Sequence, residues 1–455
     1  MNQRHSRFLQ ALSSSPRSHF IPVVGLTLGL VGVPAVASYA AFQNSPKAVL
    51  DQAWQIVNHD YVDPSFNHVD WRQVRQTLLS RPYTSREDAY TALRDALKEL
   101  NDPYTRFMNP EEFQAFNNET SGELTGVGLQ LTVNKETAAL TVVKPIENSP
   151  ALSAGIQAGD RILQIDGQGT EGMTVEKAAE LIRGEPNTQV TLRLQRESAD
   201  PFDITLTRSR IQVPVVESAV HPEGQQKIGY IRLNEFNAHA ADEMKQAIEE
   251  LESQNVDKFV LDLRENPGGR LDQAIQIARM WLDSGDIVRT VDREGTSESV
   301  AANHTALTSL PLAVLVDGNS ASASEILTGA LKDDQRAVVV GSQTFGKALV
   351  QSVNQLADGS GLNVTIAHYF TPSGLDINHK GITPDVVIDL TDEQKQDLFS
   401  HPEKLGTAAD PQYQQAVEQL NHPVANATPP QSAPAQSAPA QSAPAQSTPA
   451  ASPQT

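Results

Sequence analysis

Leu312-Ala-Val-Leu-Val316, Asp317-Gly-Asn-Ser-Ala-Ser322-Ala-Ser-Glu325 and Ile326-Leu-Thr-Gly-Ala-Leu-Lys332 follow one another without a break. The first piece is an uninterrupted apolar run, the signature of a strand buried on both faces. The second is a turn of small residues. The third opens a helix, expected over Ser324–Lys332, and Ala337–Val340 reads as the next strand. Strand, helix, strand is the βαβ unit of a parallel sheet. The same rhythm runs upstream, with strands at Ile228–Leu233 and Phe259–Leu263 and a helix at Ala240–Gln254. Residues 213–392 are therefore expected to form an α/β core.

Outward from that core the character changes. Residues 43–118 read as helical. Leu50, Trp54, Val57 and Tyr61 recur at helical spacing, and Thr84-x-x-Glu87 has the form of a capping box before Ala89, Leu93, Ala96, Leu97 and Leu100. Residues 119–212 read as strands with one short helix, Val175–Arg183, and residues 393–421 as a C-terminal helical segment. From 422 to 455 there is no Asp, Glu, Lys or Arg, and Gln-Ser-Ala-Pro-Ala repeats from Gln431. Such a segment has little to bury and is expected to be a disordered tail. At the other end, Arg4, Arg7 and Arg17 precede an uncharged run from Phe20 to Phe42 that contains Ala35-Val-Ala37. Residues 1–42 thus read as an export signal, or as an uncleaved N-terminal anchor. Either way the bulk of the chain is expected outside the cytoplasm.

Composition narrows the function. Across 455 residues, 55 acidic side chains outnumber 35 basic ones, giving −20, which argues against nucleic acid as a partner. There is no cysteine, so disulfides, thiolate metal sites and a cysteine nucleophile are excluded.

The turn before the helix carries the chemistry. A serine at a helix N-terminus lies beside free N–H groups and a partial positive charge. It can be a nucleophile, or simply a cap. Ser-x-x-Lys fails because Glu325 follows Ser322 by three, and Gly-x-Ser-x-Gly fails because Gly318-Asn-Ser320-Ala ends in Ser322. His304, His368 and His379 lack a local signature. Lys347, in Gln343-Thr-Phe-Gly-Lys347, lies past the strand that returns from the Ser-bearing helix. A lysine held among apolar groups has its ammonium form disfavoured and can serve as a neutral base. Asn266-Pro-Gly-Gly269 is either an oxyanion-binding turn or a tight βα connection.

Ser320-Ala-Ser-Ala-Ser-Glu325, Phe345-Gly-Lys347 with Gln351 beyond it, the Asn-Pro-Gly-Gly turn and Gly381-Ile-Thr-Pro-Asp385 together resemble the carboxyl-terminal processing peptidases, or tail-specific proteases, over about residues 45–392. The resemblance implies an α+β multidomain protein with a crotonase-like α/β peptidase core, an inserted PDZ domain and an N-terminal helical region. It makes Ser322 the nucleophile and Lys347 the general base. Gln351, read as one helical turn on, positions the lysine, and Asp333 matches a supporting acidic position. The oxyanion is expected at the N–H groups of Ala323 and of Gly268 or Gly269. Ser320 and Ser324 are expected to be loop and cap residues with mild effects. Ala348 stands where the family usually has glycine.

Gly126-Val-Gly-Leu129, Ser149-Pro-Ala-Leu-Ser-Ala-Gly155 and Gly159-Asp-Arg-Ile-Leu163 resemble a PDZ domain. There a Gly-rich loop binds a C-terminal carboxylate, and the peptide adds a strand to the sheet edge. Gly126, Val127, Gly128 and Leu129, with Val175, Ala179 and Ile182 on the helix, are expected to line that groove. Arg161 matches a basic residue that gates the catalytic pocket in some members. The implied activity is ATP-independent serine endopeptidase cleavage near the C-termini of exported proteins, in a periplasm or thylakoid lumen, with no metal or cofactor. Membrane contact would come only through residues 1–42 if they stay uncleaved, and the sequence leaves open whether there is an adaptor or a homo-oligomer. Two rivals stand: a noncatalytic PDZ scaffold with a decayed peptidase core, and a crotonase-type acyl-CoA enzyme. The intact Ser322, Lys347 and Gln351 set speaks against the first, and the export signal against the second.

Overall fold

The computed structural model describes residues 45–134 and 137–421. The expected export signal and the expected tail at 422–455 lie outside the described residues. Among the described residues no helix is long and apolar enough to cross a membrane.

The described residues open with helices α1 (Pro46–Asp60), α2 (Trp71–Ser80) and α3 (Arg86–Lys98). Leu50, Ala53 and Val57 face the core from α1, and Ala89, Leu93, Ala96 and Leu97 from α3. The cap of α3 is one residue later than the Thr84-x-x-Glu87 pattern suggests. The Ser85 hydroxyl accepts the Asp88 N–H at 3.1 Å, and Thr84 instead binds the Asp88 carboxylate through its own hydroxyl. Strand β1 (Arg106–Met108) and helix α4 (Pro110–Ser121) follow. Asn109 and Glu112 form a reciprocal capping box that starts α4.

A two-stranded ribbon, β2 (Glu123–Gly126) with β9 (Ser209–Gln212), brackets a module of β3 (Leu129–Val133), β4 (Leu140–Pro145), α5 (Pro150–Ser153), β5 (Arg161–Ile165), β6 (Gln168–Gly169), α6 (Val175–Ile182), β7 (Gln189–Gln195) and β8 (Phe202–Thr207). Its sheet runs β3-β4-β5-β7-β8, so β3 is an edge. Leu140, Ile162, Leu192 and Leu194 form a core of its own.

The rest is the α/β layer: β10 (Val216–Glu223), β11 (Gln226–Leu233), α7 (Ala240–Ser253), β12 (Lys258–Asp262), α8 (Leu271–Trp281), β13 (Asp286–Asp292), β14 (Ser297–Ala301), β15 (Leu312–Val316), α9 (Ala323–Asp333), β16 (Ala337–Gly341), β17 (Leu349–Gln355), β18 (Gly361–Phe370) and β19 (Val386–Val387), then α10 (Asp392–Ser400) and α11 (Pro411–Asn421). One sheet has the order β10-β11-β12-β15-β16-β19, parallel except for the antiparallel edge β10. All five residues of β15 are buried, as a run covered on both faces requires. Residues of α7, α8 and α9 share one apolar core on this sheet, and Tyr413, Ala416 and Leu420 of α11 belong to another. Buried Arg264 pairs with Asp262 at 2.6 Å and with Asp410 at 2.7 Å, pinning the C-terminal segment to the end of β12. Removing one partner of such a group typically costs about 3–5 kcal/mol.

A second sheet, β1-β18-β13-β14 with β17 also on β18, packs against the N-terminal helices through Phe107, Leu362 and Val364. Gln351 therefore lies on a strand. Its offset of four from Lys347 is not a helical turn, and the register shift between Val350 and Gln351 sets it opposite Thr365.

Candidate active site

Ser322 stands between β15 and α9 with φ 55° and ψ −111°. A non-glycine residue there costs about 1–3 kcal/mol and persists only where its surroundings hold it. Three contacts do so. Its N–H donates to Glu325 Oε2 at 2.9 Å, and its carbonyl accepts the Tyr369 hydroxyl at 3.1 Å and the Ile326 N–H at 3.0 Å. Gly268 also presses against the turn. A Cβ there would lie 2.6 Å from the Ala321 carbonyl oxygen and 2.9 Å from Ser322 Cβ, so the close approach needs glycine.

The same Glu325 receives the lysine loop. Its Oε1 accepts the Thr344 hydroxyl at 2.6 Å and the Gly346 N–H at 2.7 Å, and its Oε2 accepts the Lys347 N–H at 2.9 Å. Tyr369 reaches across too, donating to the Lys347 carbonyl. Glu325 is fully buried, and burial raises its pKa against those hydrogen bonds. Its position was visible as the third helical residue after Ser322, a Ser-x-x-Glu capping pattern.

Lys347 is half-buried, with its amine 4.5 Å from the centroid of the Tyr104 ring. Burial lowers its pKa first and the charge of Arg106 second, while Asp102 and Glu325 pull the other way. Among the described residues no hydrogen bond joins Ser322 Oγ to Lys347 Nζ. The two loops meet through Glu325 and Tyr369, and free enzymes commonly tighten such bonds only with substrate present. Tyr104, Arg106 and Tyr369 are site residues that no sequence motif flagged. They arrive through the pairing of β1 and β17 with β18.

The Asn-Pro-Gly-Gly turn is tied to the serine turn by buried bonds. Ala321 N–H and Ser324 Oγ donate to the Asn266 carbonyl at 3.0 and 2.9 Å. Ser320 Oγ donates to the Leu263 carbonyl at 2.8 Å and accepts the Asp317 N–H at 2.9 Å. Ser320 and Ser324 are both fully buried, so they join the two turns and are more than loop and cap residues. Ala323 is the first helical residue, and its N–H has no acceptor within the helix. The Gly268 N–H donates to Asn266 Oδ1 at 2.9 Å, whereas the Gly269 N–H finds no acceptor among the described residues.

Gln351 has its side-chain nitrogen buried without a hydrogen-bond partner, as has the Thr365 hydroxyl opposite. Asp333 ends α9 and accepts the Ser373 N–H at 2.8 Å. Eleven steps at 1.5 Å rise per residue put it about 16 Å from Ser322 along the helix axis. A cavity of about 1230 Å³ lies elsewhere, behind Asp317, Asn319 and Gln343, and none of the candidate catalytic side chains lines it.

In the strand module, Gly128 has φ 79°, and a Cβ there would meet Ser149 Cβ at 2.3 Å. Gly126, by contrast, pairs with Ser209 in the ribbon. Val127 is fully buried, so only its main chain can serve a ligand, and Ile182 likewise belongs to the module core. Leu129, Leu131, Val175 and Ala179 remain half-buried along edge strand β3 and helix α6. Arg161 opens β5 opposite Gln195, with a buried, unpartnered Nε. Among the described residues no hydrogen bond or ion pair links it to Ser322 or Lys347.

Residues 227–388 match the family model described as Peptidase family S41, and residues 141–196 match one described as PDZ domain. The carboxyl-terminal-processing protease of Synechocystis sp. is 45% identical over 392 residues, covering 86% of this chain and 90% of that protein. Carboxyl-terminal-processing peptidase 3, chloroplastic, of Arabidopsis thaliana is 40% identical over 351 residues, covering 74% of this chain and 68% of that one. The solved structure of a photosystem II D1 C-terminal processing protease is 37% identical with a TM-score of 0.53, covering 81% of this chain and all of that one. At such identity and coverage the chain belongs to the carboxyl-terminal-processing proteases of peptidase family S41, and it is a serine protease with a PDZ domain.

Proposed function

We propose that this protease works through a Ser322–Lys347 dyad, without ATP, metal or cofactor, on the C-termini of exported proteins. The observation that carries the reading is the Glu325 carboxylate, which accepts main-chain N–H bonds from both Ser322 and Lys347. Ser322 Oγ attacks the scissile carbonyl as neutral Lys347 takes its proton. Lys347 then protonates the leaving amine, and water resolves the acyl-enzyme. The developing oxyanion is met by the N–H of Ala323 and one from the glycine turn. Gly269 is the uncommitted donor there, and Gly268 serves only after releasing Asn266. Losing one such donor costs about 3 kcal/mol. Gln351 is read as orienting the lysine and Asp333 as a remote support of α9. Arg161 is kept as the gating candidate on family resemblance alone.

The PDZ edge is proposed to receive the substrate tail. The main chain at Val127–Leu129 would bind its carboxylate while Leu129, Val175 and Ala179 take an apolar side chain. The parallel sheet with its flanking helices supports the crotonase-like reading of the core, and α1–α3 support that of an N-terminal helical region. The N-terminal basic residues and apolar run, with a chloroplastic relative, support export to a periplasm or thylakoid lumen. The test is mass spectrometry of exported proteins with and without this enzyme, assaying first a D1-type C-terminal extension, the substrate named for the 37% identical structure. Tails left longer in its absence support the reading, and unchanged tails contradict it.

A further inference from the structure

The base lysine has a neighbour from outside the segment that matches the peptidase family. Tyr104 presents its ring to the Lys347 amine at 4.5 Å, inside the roughly 6 Å range of a cation–ring contact. The turn that carries it is fixed on both sides. Tyr104 N–H and Thr105 Oγ1 donate to Asp102 at 2.9 and 2.7 Å. Thr105 is buried, and its hydroxyl accepts the Thr365 N–H at 3.0 Å. Arg106 begins β1, which pairs with β18, and β18 in turn pairs with β17 just past Lys347. Sequence distance is thus cancelled by two strand pairings.

We propose that Tyr104 is a positioning residue for Lys347: its ring is the shelf that holds the amine and keeps water from it, so that the N-terminal region completes the catalytic site. This rests on Lys347 being the general base. Two effects of the ring oppose each other. Its face attracts an ammonium, while its bulk removes the water an ammonium needs. The charged and phenolic groups around the lysine are Arg106, Asp102, Glu325, Tyr104 and Tyr369. Burial is the largest cause of the lowered lysine pKa, and the Tyr104 ring, 4.5 Å from the amine, is part of what covers it. Removing the ring should therefore let water in, raise the pKa and leave less neutral amine at a given pH.

The experiment measures kcat, KM and the pH–rate profile on a free-C-terminus peptide for Tyr104→Phe, Tyr104→Leu and Tyr104→Ala, with melting temperature and peptide binding as fold checks. Phe keeps the ring and should stay within roughly two-fold of the parent kcat. Ala should lose roughly ten- to a hundred-fold in kcat, the scale of a misplaced catalytic group, with KM little changed. Its rising limb should move to higher pH, so that part of the activity returns there. Leu keeps apolar bulk and should fall between them, and it decides the matter should Ala fail to fold. A parent-like kcat and pH limb in Leu and Ala would overturn the proposal. So would lost kcat with an unmoved limb, which marks a merely structural residue. Lys347→Ala is run alongside. Activity surviving there would sink the base assignment itself, an outcome separate from failure of Tyr104 alone.

Discussion

The main-chain N–H groups of Ser322 and Lys347 donate to one oxygen, Glu325 Oε2, each at 2.9 Å. Their nitrogens can lie no farther apart than those two bonds together. A buried carboxylate thus converts the return of the β15–α9–β16 unit into a fixed spacing between the proposed nucleophile and base.

Glu325→Gln should be far more damaging than an exposed amide exchange. Gln has one acceptor oxygen, so two of the four groups now bonded to Glu325 would face an NH₂ donor. Hydrogen bonds to a charged group are worth about 1.5–3 kcal/mol each. Expected are a fall in kcat of roughly a hundred-fold or more and a lower melting temperature, read by peptide hydrolysis and thermal unfolding.

Lys347→Arg should be nearly as inactive as Lys347→Ala, because a guanidinium keeps its proton throughout the working range. In the parent, burial and Arg106 lower the lysine pKa. The neutral amine, hence the rate, should rise with pH through a value below that of an ordinary lysine. Arg106→Gln removes the opposing positive charge and should shift that limb to higher pH. A pH–kcat series on the three variants checks the order and the sign.

Ser320→Ala should destabilise more than Ser324→Ala. The Ser320 hydroxyl accepts one main-chain N–H and donates to one carbonyl, whereas Ser324 only donates, to a carbonyl that Ala321 also serves. Each buried group left unsatisfied costs about 1–3 kcal/mol. Denaturant unfolding gives the ranking, and activity should fall in the same order as the two turns loosen.

Amidating the C-terminus of a good peptide substrate should lower kcat/KM by roughly ten- to a hundred-fold, the equivalent of a lost charge-assisted bond of about 1.5–3 kcal/mol. The loss should sit in KM if the PDZ groove only captures substrate. Equal cleavage of amidated and free peptides would return Gly126–Leu129 to being an ordinary glycine turn.

The βαβ layer was legible because apolar runs such as Leu312–Val316 and the intervening helix each leave a local imprint. Ser322 and Lys347 were legible through motifs. What escaped was decided by tertiary pairing or by competing local patterns. Tyr104 meets Lys347 only because β1 and β17 share β18. Gln351 follows Lys347 by four and looked helical, yet it lies on a strand. Thr84-x-x-Glu87 and Ser85-x-x-Asp88 are offset by one residue, and the second caps the helix. Glu325 stood in plain view, but its neighbours Thr344, Gly346 and Lys347 arrive from a loop that the cap pattern cannot foretell.

The central claim, a nucleophilic Ser322 activated by Lys347, is tested most directly by peptide mapping after reaction with a serine-directed fluorophosphonate, which phosphonylates the nucleophilic oxygen and releases fluoride. The account predicts a single adduct on Ser322 in the parent, forming faster as pH rises, and almost none in Lys347→Arg. An adduct on another serine, or undiminished labelling of Ser322 in the Arg variant, would contradict it.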